Sequence, residues 1–338
     1  MIGSPYGPYN PYFDPSLYMM AQDEKRQLKR TSNALCWTLI ASTVFLYAIS
    51  IVGRVYLNAV GYTADYTNPD FHGFTPVLYY LLNGVTYSAG LAIPAFLYLS
   101  IFRIPPAEVL PFQKNGFLKT GACVLFGVAV CMLANIPASI ISNIENMFGF
   151  DTDLSMPLTD DPAVLVLFFI TIAVAPPIVE ELIFRGIVLQ SLRKFGDGFA
   201  IVGSALLFGL FHGNLVQIVF AFIAGLVMAL VDVRTDSLLP SILIHFCNNA
   251  ISFVLTVVQR LYGETTMGYV NNVVFGAAVL LGIGSLVYLW AKDRNFFQGG
   301  AVNPVFRTPE KIKTLFLNFG GIVLLIYAFL SSVYTLTQ

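Results

Sequence analysis

The sequence predicts an all-α polytopic transmembrane bundle of about nine spans, eight being possible, with no soluble domain. Of its 338 residues 57% are hydrophobic and 11% charged, whereas a soluble domain is roughly 45–50% apolar and about 25% charged. Mean hydropathy is +0.74. So little charge cannot cover a water-soluble globule of this size, and so much apolar content excludes a disordered chain. A net charge of −1 leaves no basic footprint for nucleic acid. No segment alternates polar and apolar residues with period two, so a membrane β-barrel is excluded as well.

A bilayer core of about 30 Å needs roughly 20 apolar residues in a helix. Nine segments answer to that, near 33–53, 76–102, 118–142, 163–192, 198–212, 215–232, 238–258, 270–291 and 314–335. Residues 1–20 interleave Pro5, Pro8, Pro11 and Pro15 with tyrosines, a spacing that suits a disordered, polyproline-like leader. Lys25, Arg26, Lys29 and Arg30 complete a basic leader over 1–32. The first span reads as an uncleaved signal anchor, and the positive-inside bias puts the N-terminus in the cytoplasm. Loops near 103–117, 193–194 and 292–313 carry Lys and Arg, whereas 143–162 carries Glu145, Asp151, Asp153, Asp160 and Asp161 without a base. Nine spans satisfy that alternation. The four cysteines lie singly in apolar runs and read as small hydrophobes in helix packing.

With no folded domain outside the bilayer, any chemistry sits among the helices, where each ionisable group costs roughly 2.5–3.5 kcal/mol on insertion scales. Three clusters stand out. In Pro176-Pro177-Ile178-Val179-Glu180-Glu181-Leu182-Ile183-Phe184-Arg185, two prolines interrupt the backbone ladder. Glu181 and Arg185, four apart, are in the favoured ion-pair order, leaving Glu180 free. The second cluster is Phe208-Gly209-Leu210-Phe211-His212 and the third His245-Phe246-Cys247-Asn248-Asn249; His245 and Asn249 share a helical face. A glutamate, two histidines and an asparagine from three helices supply a proton acceptor, a water polariser and oxyanion donors, the inventory for amide hydrolysis by activated water. His72, in a polar outer loop, is incidental. There is no G-x-S-x-G elbow and no H-E-x-x-H.

Glu180-Glu181-x-x-x-Arg185, Phe208-x-x-x-His212 and His245-x-x-x-Asn249, in that order, resemble the CPBP family. These are the CAAX proteases and bacteriocin-processing enzymes, also called Abi proteins or type II CAAX prenyl endopeptidases. The resemblance places a protease core at about 160–255 within a transmembrane domain of 33–338. It implies a glutamate-dependent intramembrane endopeptidase with Glu180 as the base that activates water and His212 orienting that water. His245 and Asn249 would hold the oxyanion, with Glu181 and Arg185 supporting Glu180. Family members have been described both as metalloproteases and as metal-free. A catalytic zinc wants about three protein ligands, which His212, His245 and one of the glutamates could supply, so the cofactor is open between none and one divalent metal such as zinc. Asn249 beside His245 fits oxyanion donation better than zinc ligation and favours the metal-free route.

The expected partners are the bilayer and a membrane-embedded or lipid-anchored peptide or protein substrate, such as a leader, pheromone or bacteriocin precursor. The expected location is a bacterial cell membrane, crossed many times. Helix depths point to cleavage near the cytoplasmic side, with His212 fitting that depth least well. Two other classes are weighed against the protease. One is a catalytically silent scaffold or immunity protein that keeps the pocket and binds a partner. The other is a proton-coupled transporter, which also carries intramembrane acids but commonly shows repeated halves that this sequence lacks.

Overall fold

A computed structural model describes residues 15–62, 65, 71–150, 157–298 and 308–337. These form a helical bundle, and the only pairing of extended backbone among them is an isolated bridge between Phe112 and Ser237. The principal helices are α1 (Pro15–Ala59), α2 (Pro76–Phe102), α3 (Phe117–Met147), α4 (Pro162–Arg193), α5 (Asp197–Phe211), α6 (Leu215–Thr235), α7 (Leu239–Lys292), α8 (Thr308–Phe316) and α9 (Phe319–Leu336). Seven of them, all but α5 and α8, are long and apolar enough to cross a membrane.

The 54 residues of α7 would make a rod of about 80 Å at 1.5 Å per residue, far beyond a bilayer core. The rod is broken at Gly263 (φ 85°, ψ 168°), a conformation essentially restricted to glycine. Both arms return to the same stretch of α3. A Cβ on Gly127 would lie 2.3 Å from Ile244 of the first arm, and a Cβ on Gly282 of the second arm would lie 2.2 Å from the Ala129 Cβ. α7 is therefore a helical hairpin whose two arms correspond to the seventh and eighth predicted spans, and small residues bring the helices close, as membrane interfaces require. The fifth predicted span becomes α5, only 15 residues long, about 22 Å.

The leader expectation needs correction at its end. Residues 1–14 lie outside the described residues, but helix α1 already begins at Pro15, because proline is tolerated in a first turn and 16–30 is rich in Leu, Met, Ala, Gln, Glu and Lys. This stretch is docked: Leu28 is fully buried and Glu24 pairs with Lys311 at 2.7 Å.

Charge distinguishes the two ends of the bundle. At one end Lys119 donates to the Arg234 carbonyl (3.3 Å), Arg193 pairs with Asp236 (3.0 Å) and Lys311 meets Glu24. The opposite end carries Asp160, Asp161 and Glu264, with Arg260 paired to Asp160, and Tyr80 donates to the Pro157 carbonyl at 2.6 Å. Between them, a core that includes Phe184, Leu189, Leu207, Phe208 and Met228 holds α4, α5 and α6 together.

Candidate active site

Helix α4 is regular only in part. It winds as π-helix over Ile170–Val174 and again over Leu182–Val188, on either side of the Ala175–Glu181 α-helical turn; such π turns gather at functional sites. Pro176 and Pro177 have no N–H, so the carbonyl of Ile172 finds no donor at i+4 or at i+5. Asn249, from the first arm of α7, fills that gap: its Nδ2 donates to Ile172 O at 2.8 Å, while its Oδ1 accepts from Asn248 Nδ2 at 3.2 Å.

The two adjacent glutamates face different partners. Glu180, 4% exposed, accepts a hydrogen bond on Oε1 from the Tyr87 hydroxyl of α2; its other oxygen is buried with no partner among the described residues. Glu181 is fully buried. Its Oε2 lies 3.0 Å from Arg185 Nε and its Oε1 2.8 Å from His245 Nδ1. Glu181 thus bridges Arg185 and His245, and Tyr87, which the sequence reading did not name, donates to Glu180. The Arg185 guanidinium rests 4.3 Å above the centroid of Phe208.

Phe208 joins the clusters. Its ring centroid lies 4.9 Å from that of His212 and 6.0 Å from that of His245. His212 caps the C-terminal end of α5, with Nδ1 2.9 Å from the Phe208 carbonyl oxygen. In both histidines an oxygen acceptor therefore occupies Nδ1, fixing the ring and leaving Nε2 as the unused nitrogen. Glu180, His212, His245 and Asn249 all line one cavity of about 1400 Å³. His72 sits on a short 3-10 turn, Phe71–Gly73, and does not line it. All four cysteines are free thiols.

Two residues absent from the sequence expectations belong to this neighbourhood. Tyr87 left no motif signal in the chain. Asp232, fully buried on α6, accepts from the Ser241 hydroxyl at 2.6 Å and its backbone N–H at 3.3 Å; it interacts electrostatically with Glu181 and Arg185. Its signal was an acid inside an apolar helix, masked by the interface residue Arg234 two positions on.

A divalent metal would need about three ligands around one point. Among the described residues no three His, Cys, Asp or Glu side chains gather in that way, and both oxygens of Glu181 are engaged by Arg185 and His245. The donor set as arranged does not fit a metal.

Residues 162–251 match the family model for the type II CAAX prenyl endopeptidase Rce1-like domain, a stretch that contains Glu180, Glu181, Arg185, His212, His245 and Asn249. The chain is also 27% identical over 162 residues to a Bacillus subtilis (strain 168) protein named "Putative membrane peptidase YdiL". That similarity covers 46% of this chain and 65% of the relative, so the chain spans just under two thirds of the curated relative's length. No solved structure matches.

Proposed function

We propose that this chain, a multi-pass membrane protein of the CPBP family, is an intramembrane endopeptidase that cuts a membrane-associated peptide with water activated by Glu180. The observation that carries the reading is the Glu180 carboxylate: one oxygen is fixed by Tyr87, the other is buried with no partner among the described residues, and it shares a cavity with two oriented imidazoles and a carboxamide.

In this reading Glu180 takes a proton from water as the water oxygen bonds to the scissile carbonyl carbon, a step for which a positioned base supplies about 10²–10⁴-fold. His212 orients the water through Nε2. The carbonyl π electrons move onto oxygen, and the oxyanion receives hydrogen bonds from the second Nδ2 hydrogen of Asn249 and from Nε2–H of His245 acting as an imidazolium, whose Nδ1–H is held by Glu181, one such donor contributing about 10²–10³-fold. Glu181 supplies the charge opposite His245. The C–N bond then breaks as Glu180 returns the proton to the leaving nitrogen.

The test is a library of membrane-tethered peptides in proteoliposomes made up in ¹⁸O-water, read by mass spectrometry. The expected result is new C-terminal carboxyls carrying ¹⁸O, seen only in vesicles that hold the protein. An unchanged library across charged, neutral and lipidated peptides would overturn the proposal.

A further inference from the structure

The catalytic cavity runs from the middle of the bundle, at Glu180, Met228 and His245, to the end away from the basic residues, and stops short of the basic end. On α3 the lining starts at Cys131 and reaches Asn143, four residues short of Met147, and nothing from 117–130 takes part. On α2 it is Asn83 and Tyr87, near Pro76; on α6 it begins at Val216 and Gln217, beside Leu215. On α7 the lining runs from His245 to Leu255 on the first arm and from Met267 to Phe275 on the second, approaching the bend from both sides. Toward the basic end the path is closed by fully buried Glu181, Arg185, Asp232 and Ser241. In the half away from the basic end the lining includes Tyr47 of α1 (65% exposed) and Ile140 of α3 (54% exposed), so the cavity is not sealed there.

The walls are mostly apolar, studded with carboxamides and hydroxyls, and nearly uncharged. Glu180 is the one carboxylate among the described lining residues, and none is Lys or Arg. Asn83 and Asn135 donate through Nδ2 to carbonyls of their own helices, Tyr79 at 2.8 Å and Cys131 at 3.2 Å, which leaves each Oδ1 as an acceptor. Gln217, Asn248 and Asn271 line the same space. A carboxamide carries both a donor and an acceptor, as a peptide unit does. At membrane depth a peptide pulled out of helix needs such partners for its backbone, whereas an unpaired charged side chain is costly.

We infer that substrate enters as an extended, uncharged peptide segment from the end of the bundle opposite the basic residues, its backbone held by the carboxamide wall, and that under the positive-inside bias this end faces the exterior. The inference rests on the endopeptidase reading for its substrate, and it reverses the expectation of cytoplasmic-side cleavage. That expectation measured depth from the ends of the helices, and depth does not say which side of the catalytic residues is hollow.

The test uses single cysteines added to the full chain in intact cells and a membrane-impermeant maleimide, with the native protein as background. Asn143→Cys, Gln217→Cys and, as a second position against misfolding, Met267→Cys are expected to label from outside, and Lys194→Cys at the basic end only after permeabilisation. Labelling of 143, 217 and 267 from the same side as 194, or only after permeabilisation, would overturn the inference. In purified protein, a synthetic Ala/Leu/Asn peptide should protect Gln217→Cys from the maleimide. The same peptide with a central lysine should protect on the order of 100-fold less well; equal protection would overturn the uncharged-substrate inference. Labelling needs no turnover, so these results are independent of whether peptides are cut.

Discussion

Replacing Glu181 by glutamine tests the buried polar cluster. The carboxylate is fully buried, 3.0 Å from Arg185 Nε and 2.8 Å from His245 Nδ1. Glu181→Gln keeps the volume but leaves Arg185 charged, with Asp232 as the remaining acid in its surroundings. Removing one member of a buried pair costs about 3–5 kcal/mol. At roughly 2–4 °C per kcal/mol for chains of 150–250 residues, that is a fall on the order of 10 °C in melting temperature. The protein carries its own reporter, because Cys36, Cys123 and Cys131 are buried and react with a fluorogenic maleimide only when the bundle opens. Glu181→Gln/Arg185→Met should recover much of the loss, since it leaves no uncompensated cation and fills the space over Phe208 with an apolar chain of similar length. A single variant that melts with the wild type, or a double variant worse than the sum of the singles, would refute the pairing.

The remaining predictions concern other links. Asn249→Leu leaves the Ile172 carbonyl without a donor, at a cost of about 1–3 kcal/mol, and in the proposed mechanism also lowers kcat; melting and turnover should fall together. Tyr87→Phe removes the hydrogen bond from α2 that holds the buried Glu180, a bond to a charged acceptor worth about 1.5–3 kcal/mol, so melting should fall and, in the proposed mechanism, kcat should drop roughly 10–100-fold. Gly282→Val sets a side chain on a position whose Cβ would already lie 2.2 Å from Ala129; the α7 hairpin should lose its seat on α3, seen as faster limited proteolysis near 263. Gly263→Ala, at φ 85°, should cost about 1–3 kcal/mol in the same melting assay.

Much of this architecture was legible in the chain, for definite physical reasons. Hydrocarbon thickness sets a minimum apolar length, so long spans announce themselves, and the interruption between 258 and 270 anticipated the bend at Gly263. Spacing of four places residues on one helical face, which made the Glu181–Arg185 pair readable and put His245 and Asn249 side by side. Which neighbour that pair braces was not readable, because the answer lies on α7, and His245 comes 64 residues after Glu181. Tyr87 precedes Glu180 by 93 residues on a helix whose sequence carries no Asp, Glu, His, Lys or Arg. The role of Asn249 was half hidden: the prolines at 176 and 177 marked an orphaned carbonyl, but only the packing of α7 on α4 identifies the donor. The direction of the cavity depends on where eight helices together leave space, a property no single segment encodes.

The central claim is that Glu180 is the base in a peptide-cutting site, and the most direct measurement is the single-turnover rate of Glu180→Gln in proteoliposomes against a peptide that the wild type cuts. The account predicts a protein that melts close to the wild type and cuts at least about 100-fold more slowly. A Glu180→Gln protein that cuts the same bond at the wild-type rate would contradict it.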